Sequence, residues 1–223
     1  MSLGLAAGDT PIGLYRELVL RERKGEVRFE GVRAFSLDEY VGSGPDDEQS
    51  YRYFMQFHLF SRTSFRPEDV HCPNGRAENL DDECARYERI VEESGGIDLQ
   101  ILGIGRNGHV GFNDPGCGFD SATRVVELAP STINANAKHF SNLQQVPRRA
   151  IIMNLANIMR SKCILLLANG EEKTEVLFKA LKEEPSPSIP ASVLQRHPRL
   201  TVFLSRGLTP RCRPVSTDDG ERT

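Results

Sequence analysis

Closely spaced cysteines are missing from this chain. Its five, Cys72, Cys84, Cys117, Cys163 and Cys212, are odd in number, scattered and never in CxxC spacing. That excludes a disulfide framework and a cysteine zinc site, and it fits a reducing compartment. A long apolar run is missing too. The most apolar stretch, Ile164 to Ala168, falls far short of the roughly 20 residues that a membrane helix needs. The N-terminus lacks a basic region followed by a long apolar one, so secretion and membrane insertion are both disfavoured and a cytoplasmic protein is expected. Positive charge is not in excess: the net charge is −3 and the pI about 6.0. This excludes the broad cationic surface of a nucleic-acid binder, while a few local cations suffice for a small anionic metabolite. Internal repeats, low-complexity tracts and a helix-turn-helix segment are also absent.

What is present suits one substantial core. A chain of 223 residues with 39% hydrophobic content is too short for two large domains. We expect a single domain over residues 1–208 and a polar, disordered tail over 209–223. Leu3 to Ala7, Ile97 to Ile104 and Cys163 to Ala168 read as buried strands, with Val32 to Leu37 as a shorter one. Between them, Ile12 to Arg23 and Leu80 to Glu93 carry helical periodicity; in the second, Tyr87, Ile90 and Val91 form an apolar stripe. The alternation predicts an α/β fold, a mostly parallel sheet with helices on both faces in a Rossmann-like three-layer arrangement. Ligands of such folds bind at the carboxyl ends of the strands. Leu3 to Ala6 reads as the end of a buried strand with almost no chain before it, which predicts a truncated start and a missing N-terminal strand.

Three strand ends attract attention. In Ala7-Gly8-Asp9-Thr10-Pro11, Gly8 can take positive φ, Thr10 can cap the next helix and Pro11 suits its first turn. Backbone N–H groups there can meet an anion, although an ordinary capped helix is the simpler reading, and the Asp9 carboxylate would repel phosphate unless turned away. In Phe35 to Gly42, Asp38 and Glu39 are adjacent carboxylates at a strand end, so on an extended chain only one of them faces a ligand. Such pairs are usually solvated turn residues. The strongest segment runs from Ile101 to Gly116, where five glycines cluster around His109 and Asp114. His109 can shuttle protons near neutrality, with Asp114 to orient it. Gly103, Gly105 and Gly108 match GxGxxG, but the acidic residue of a dinucleotide fingerprint is absent. Lys173, just past the apolar run ending at Ala168, is well placed for a phosphate.

Taken together these segments resemble the glucosamine-6-phosphate deaminase (glucosamine-6-phosphate isomerase) family. The resemblance runs from Leu3 to about Leu204 and rests on LGLAAGDTP, FSLDEYVG, SYRYFMQFHLF, GGIDLQILGIGRNGHVGFNDPG and SVLQRHPRL. The related 6-phosphogluconolactonases typically continue from the motif histidine toward Ser-Leu-Phe-Pro, whereas Gly-Phe-Asn-Asp follows His109 here. The resemblance implies that Asp38 moves a proton between C2 and C1 of the sugar and that His109 assists ring opening, with Asn107 and Asp114 as its partners. It implies a phosphate held by Gly8, Asp9, Thr10, Lys138 and Lys173. It implies neither metal nor organic cofactor, and a sugar phosphate as the small-molecule partner. The family includes monomers and hexamers, so a homo-oligomer is compatible. Four residues depart from the family's usual choices. Asn107 stands for an acid, Asp114 for the longer glutamate, Asp9 for a small residue and Lys138 for an arginine. The shorter Asp114 predicts a gap to His109 unless the backbone adjusts. Arg124 matches one residue of an allosteric site, but Val126 replaces the lysine of regulated members, so that regulation is not expected. A lactone or galactosamine phosphate substrate, or a non-catalytic sugar-phosphate sensor, are the alternatives.

Overall fold

The computed structural model describes residues 1–205, and the predicted tail lies outside the described residues. In chain order the elements are β1 (Ser2–Leu5), α1 (Ile12–Arg23), β2 (Arg33–Ser36), β3 (Asp38–Tyr40), α2 (Tyr51–His58), β4 (Val70–His71) and α3 (Leu80–Glu93). Then follow β5 (Leu99–Gly103), β6 (Arg124–Glu127), α4 (Pro130–Asn136), β7 (Arg149–Ile152), α5 (Leu155–Met159), β8 (Cys163–Ala168), α6 (Thr174–Lys182) and β9 (Leu200–Leu204). The two helices predicted from periodicity match α1 and α3 residue for residue. The strands are shorter than the apolar runs: Ala6, Ala7, Ile97, Asp98 and Ile104 lie outside the ladder. Buried side chains continue past the paired backbone, so hydrophobicity overstates strand length.

Six strands form one parallel sheet in the order β4-β2-β1-β5-β8-β9. From the central pair the chain winds outward to opposite edges, so the loops after β1 and β5 diverge and leave a crevice between them. Alternate side chains feed the two faces. Leu3, Leu5 and Ile101 pack with Tyr15 and Val19 of α1 and Met55 of α2, whereas Phe35, Leu102, Ile164 and Leu166 pack with Tyr87 and Val91 of α3 and Val176 and Leu177 of α6. The predicted three-layer α/β fold is therefore present.

A second sheet was not legible in the sequence. Leu37 is its pivot: its N–H donates to Leu5 O of the large sheet at 2.9 Å, while its carbonyl accepts from Met153 N at 2.9 Å. Beyond that point the Asp-Glu-Tyr segment pairs antiparallel with β7, Asp38 opposite Ile152 and Tyr40 opposite Ala150, and β6 pairs with the other edge of β7. The segment expected to be a strand end is thus a strand in its own right, belonging to a separate three-stranded sheet. No helix among the described residues is long and apolar enough to cross a membrane.

Candidate active site

The two carboxylates of β3 part as strand geometry requires, yet neither is solvated: Asp38 is 4% exposed and Glu39 1%. Glu39 turns toward the start of α2. Its oxygens accept from Tyr51 N at 3.0 Å, Arg52 N at 2.9 Å, Ser50 Oγ at 3.0 Å and Tyr40 N at 2.8 Å. These bonds consume otherwise orphaned amides of the helix start and commit Glu39 to structure. Asp38 makes no comparable set of bonds. Burial, and then the neighbouring Glu39 charge, push its carboxyl well above the usual carboxylate range, with the backbone amide of Phe112 pulling the other way. A buried, poorly solvated carboxylate is a strong base once ionised.

The glycine-rich loop after β5 folds over this carboxylate. Gly111 has φ +57°, and a β-carbon there would lie 3.0 Å from Asp38 Oδ2. Gly105 is needed for a different reason, because a side chain would run into the His109 ring that packs against it. At both glycines a group that leaves no room for a side chain belongs to one of the protein's own catalytic candidates.

His109 Nδ1 is buried and lies 3.4 Å from Asp114 Oδ1 without closing a hydrogen bond. The shorter aspartate thus spans most of the expected gap, because other groups hold it forward. Asn107 Nδ2 donates to its Oδ1 at 3.2 Å, Thr132 Oγ1 donates to its two oxygens at 3.0 and 3.2 Å, and Ala129 N donates to Oδ2 at 3.3 Å. Burial raises the Asp114 carboxyl, but His109, Asn107 and Ala129 outweigh it and keep the group below the ordinary range. Asn107 also accepts from His109 N at 3.1 Å. It therefore orients both partners without carrying charge. With Nδ1 directed at Asp114, Nε2 is the ring nitrogen available for proton exchange. Thr132 was missed by the sequence reading, since no local pattern marks a threonine on α4 as a partner of Asp114.

The loop itself is pinned from below. Asn113 is fully buried, donates to Val110 O at 3.2 Å and Met153 O at 3.0 Å, and accepts from Arg124 at 3.2 Å. Arg124 thereby braces this loop. Aromatic rings wall the same region: Phe112 stacks on Tyr51 at 5.5 Å, and Tyr40 tilts against both.

The remaining predicted residues gather at the strand ends beside the crevice. Gly8 takes φ +101°. Thr10 does not cap α1, contrary to expectation. Pro11 occupies the cap position without a side-chain bond, and Thr10 Oγ1 instead donates to Asn169 Oδ1 at 3.1 Å. The oxygen offered by the loop after β8 draws the hydroxyl away and spares the helix start from internal capping. Lys173 Nζ donates to the same oxygen at 3.4 Å, and burial lowers its ammonium below the usual lysine range. Asp9 is ion-paired with Lys138, so its carboxylate is turned onto a cation. Thr10 also packs against Gly103, with its Cβ 3.6 Å from where a side chain would begin. The loops after β1 and β8 thus meet beside the end of β5.

Over residues 1–203 the chain matches the family described as glucosamine-6-phosphate isomerases/6-phosphogluconolactonase. It belongs to that family. It is 50% identical over 201 residues to a glucosamine-6-phosphate deaminase of Geobacillus sp. (strain WCH70), covering 90% of this chain and 80% of that protein. It is 47% identical over 204 residues to the glucosamine-6-phosphate deaminase of Thermoanaerobacter pseudethanolicus, covering 92% and 81%. Among solved structures, one described as a monomeric glucosamine-6-phosphate deaminase superposes with a TM-score of 0.90 at 42% identity, covering 92% of this chain and 85% of that one. The 6-phosphogluconolactonase of Thermotoga maritima shares the fold, with a TM-score of 0.71 at 23% identity over 92% and 84% of the two chains.

Proposed function

We propose that this chain is a glucosamine-6-phosphate deaminase, converting glucosamine 6-phosphate and water to fructose 6-phosphate and ammonia. The observation that carries the reading is the apposition of a buried, undercommitted base, Asp38, with a loop that presents His109 backed by Asp114. Proton transfer at carbon and ring opening need two such groups on one substrate. Similarity to deaminases at 47–50% identity supports this branch over the lactonases, where identity is 23%.

In this reading His109 relays the proton between the anomeric hydroxyl and the ring oxygen, opening the aldose. Asp114 holds the imidazole in register and stabilises any positive charge on it. In the open form the C2 proton is acidified by the neighbouring C1 carbonyl. Asp38 removes it and returns it to C1 through an enolamine, leaving an imine at C2. Water then replaces the imine nitrogen, which leaves as ammonia, and C2 becomes the ketone. The chemistry requires no metal or organic cofactor. Gly8, Asp9, Thr10, Lys138 and Lys173 form the cradle for the phosphate, with Thr10 and Lys173 exchanging Asn169 for phosphoryl oxygens. The enzyme acts in amino-sugar catabolism in the cytoplasm, as one unit spanning residues 1–208.

Purified protein incubated with glucosamine 6-phosphate should release ammonia and fructose 6-phosphate, and an Asp38→Asn variant should not. Absence of release from the intact protein rejects the reading. Hydrolysis of 6-phosphogluconolactone in its place would assign the chain to the lactonases, and sugar-phosphate binding without turnover would favour a sensor.

A further inference from the structure

Asp9 places a carboxylate at the mouth of a cradle that the preceding section assigns to a phosphate. An anion there opposes another anion, yet the side chain, although half-exposed, is held on cations of the protein. One oxygen pairs with Lys138 Nζ and the other lies 4.0 Å from His139 Nε2. The hydrogen bond from Lys138, and then the charges of Lys138, His139 and Lys173, hold the Asp9 carboxyl below its usual range against its burial. Beside Asp9, Thr10 Oγ1 and Lys173 Nζ rest on Asn169 Oδ1 at 3.1 and 3.4 Å. Each donor assigned to the phosphate whose partner is known is therefore engaged by a side-chain oxygen of the protein.

We propose that Asp9 is an internal stand-in for the substrate phosphate: its carboxylate occupies Lys138 in the free protein, and an incoming phosphate monoester must displace it. This rests on the assignment of the cradle in the preceding section. The exchange is feasible because both partners are half-exposed, Lys138 at 58% and Asp9 at 54%. A pair so open to water is worth only about 0–1 kcal/mol. A phosphate dianion brings roughly twice the charge of a carboxylate and can take several donors at once, so it wins the exchange. A singly charged sugar acid does not. Asp9 is thus an affinity-setting residue: any anion that takes Lys138 must first break its pair with Asp9.

The test is calorimetric titration with inorganic phosphate, which reads the cradle without turnover, on the intact chain and on Asp9→Asn, Lys138→Met and the double variant. Asp9→Asn should bind phosphate about fivefold more tightly, the change expected when one carboxylate leaves a partly exposed ion pair. Lys138→Met should bind more weakly, and most of the Asp9→Asn gain should vanish in its background. Equal or weaker binding by Asp9→Asn overturns the proposal and makes Asp9 a positioning group for Lys138. A gain that persists undiminished without Lys138 also overturns it, since plain repulsion then accounts for the effect. If no form binds phosphate, the cradle assignment itself fails. If phosphate binds but no ammonia is released from glucosamine 6-phosphate, only the deaminase reading fails. Asp9→Ser serves as a second variant, with thermal unfolding checking that each retains its fold.

Discussion

Asp38 Oδ2 lies 3.0 Å from the point where a β-carbon on Gly111 would stand. The same point is 2.7 Å from Leu37 Cδ2 and 2.8 Å from Ile152 Cδ1, and Gly111 has φ +57°. A methyl group there has no room, and its backbone conformation is costly for any L side chain. Gly111→Ala should therefore lower stability by about 1–3 kcal/mol through overpacking and strain. It should reduce ammonia release further than partial unfolding accounts for, because the loop can relieve the clash only by lifting off Asp38. Chemical denaturation and kcat measured together check this, and an unchanged kcat would show that the loop does not need this seat.

Asp38 should trade stability for activity. Burial and Glu39 raise its carboxyl, so the folded chain keeps a proton that the unfolded chain has already lost. The stability this group contributes is fully present below the ordinary carboxylate range near pH 4 and is lost as pH rises through the folded value. Asp38→Asn should abolish turnover while raising Tm at neutral pH, by about 2–4 °C for each kcal/mol relieved. The Tm difference from the parent should widen from pH 4.5 to pH 8. A difference that stays constant or narrows with pH would mean that Asp38 is not held as a costly buried base.

Glu39, the next residue, should behave in the opposite way. It accepts four hydrogen bonds that begin α2 and close β3. Glu39→Gln replaces one acceptor oxygen by a donor that faces other donors, and it should cost about 1.5–3 kcal/mol. The signature is a lowered Tm with substantial ammonia release retained well below it. If instead turnover disappears while Tm holds, Glu39 shares the chemistry with Asp38.

Thr132 should act through Asp114. Its hydroxyl donates to that carboxylate at 3.0 and 3.2 Å, and Thr132→Val removes the bond while keeping the shape. With this tether gone Asp114 is less firmly aimed at His109. A fall in kcat of about tenfold corresponds to the roughly 1.5 kcal/mol of a charge-assisted hydrogen bond. Stability should fall by about the same 1.5 kcal/mol, and Thr132→Ser should recover most of the rate and of the stability. Failure of serine to rescue would indicate a packing role.

Much of this protein was determined by local sequence. The apolar spacing of Ile12 to Arg23 and Leu80 to Glu93 placed α1 and α3, since one helix face must be buried whatever lies against it. The apolar runs ending at Ala7, Ile104 and Ala168 marked the crevice, because parallel strands buried on both faces read as continuous apolar runs, although the first two paired strands stop short, at Leu5 and Gly103. The adjacency of Asp38 and Glu39 already implied that their roles divide, since successive side chains on a strand point to opposite faces. Tertiary structure decided the rest. Which of the two carboxylates faces the crevice depended on the pairing of β3 with β7, a segment more than a hundred residues away. That pairing also buried both residues, against the usual behaviour of such pairs. Thr10 left its expected cap because Asn169, brought in by β8, offers a competing acceptor. Asp114 approaches His109 despite its length because Asn107, Ala129 and Thr132 hold it. Each of these outcomes is a competition between a local preference and a partner distant in sequence. Periodicity carries no information about such partners until the chain has folded.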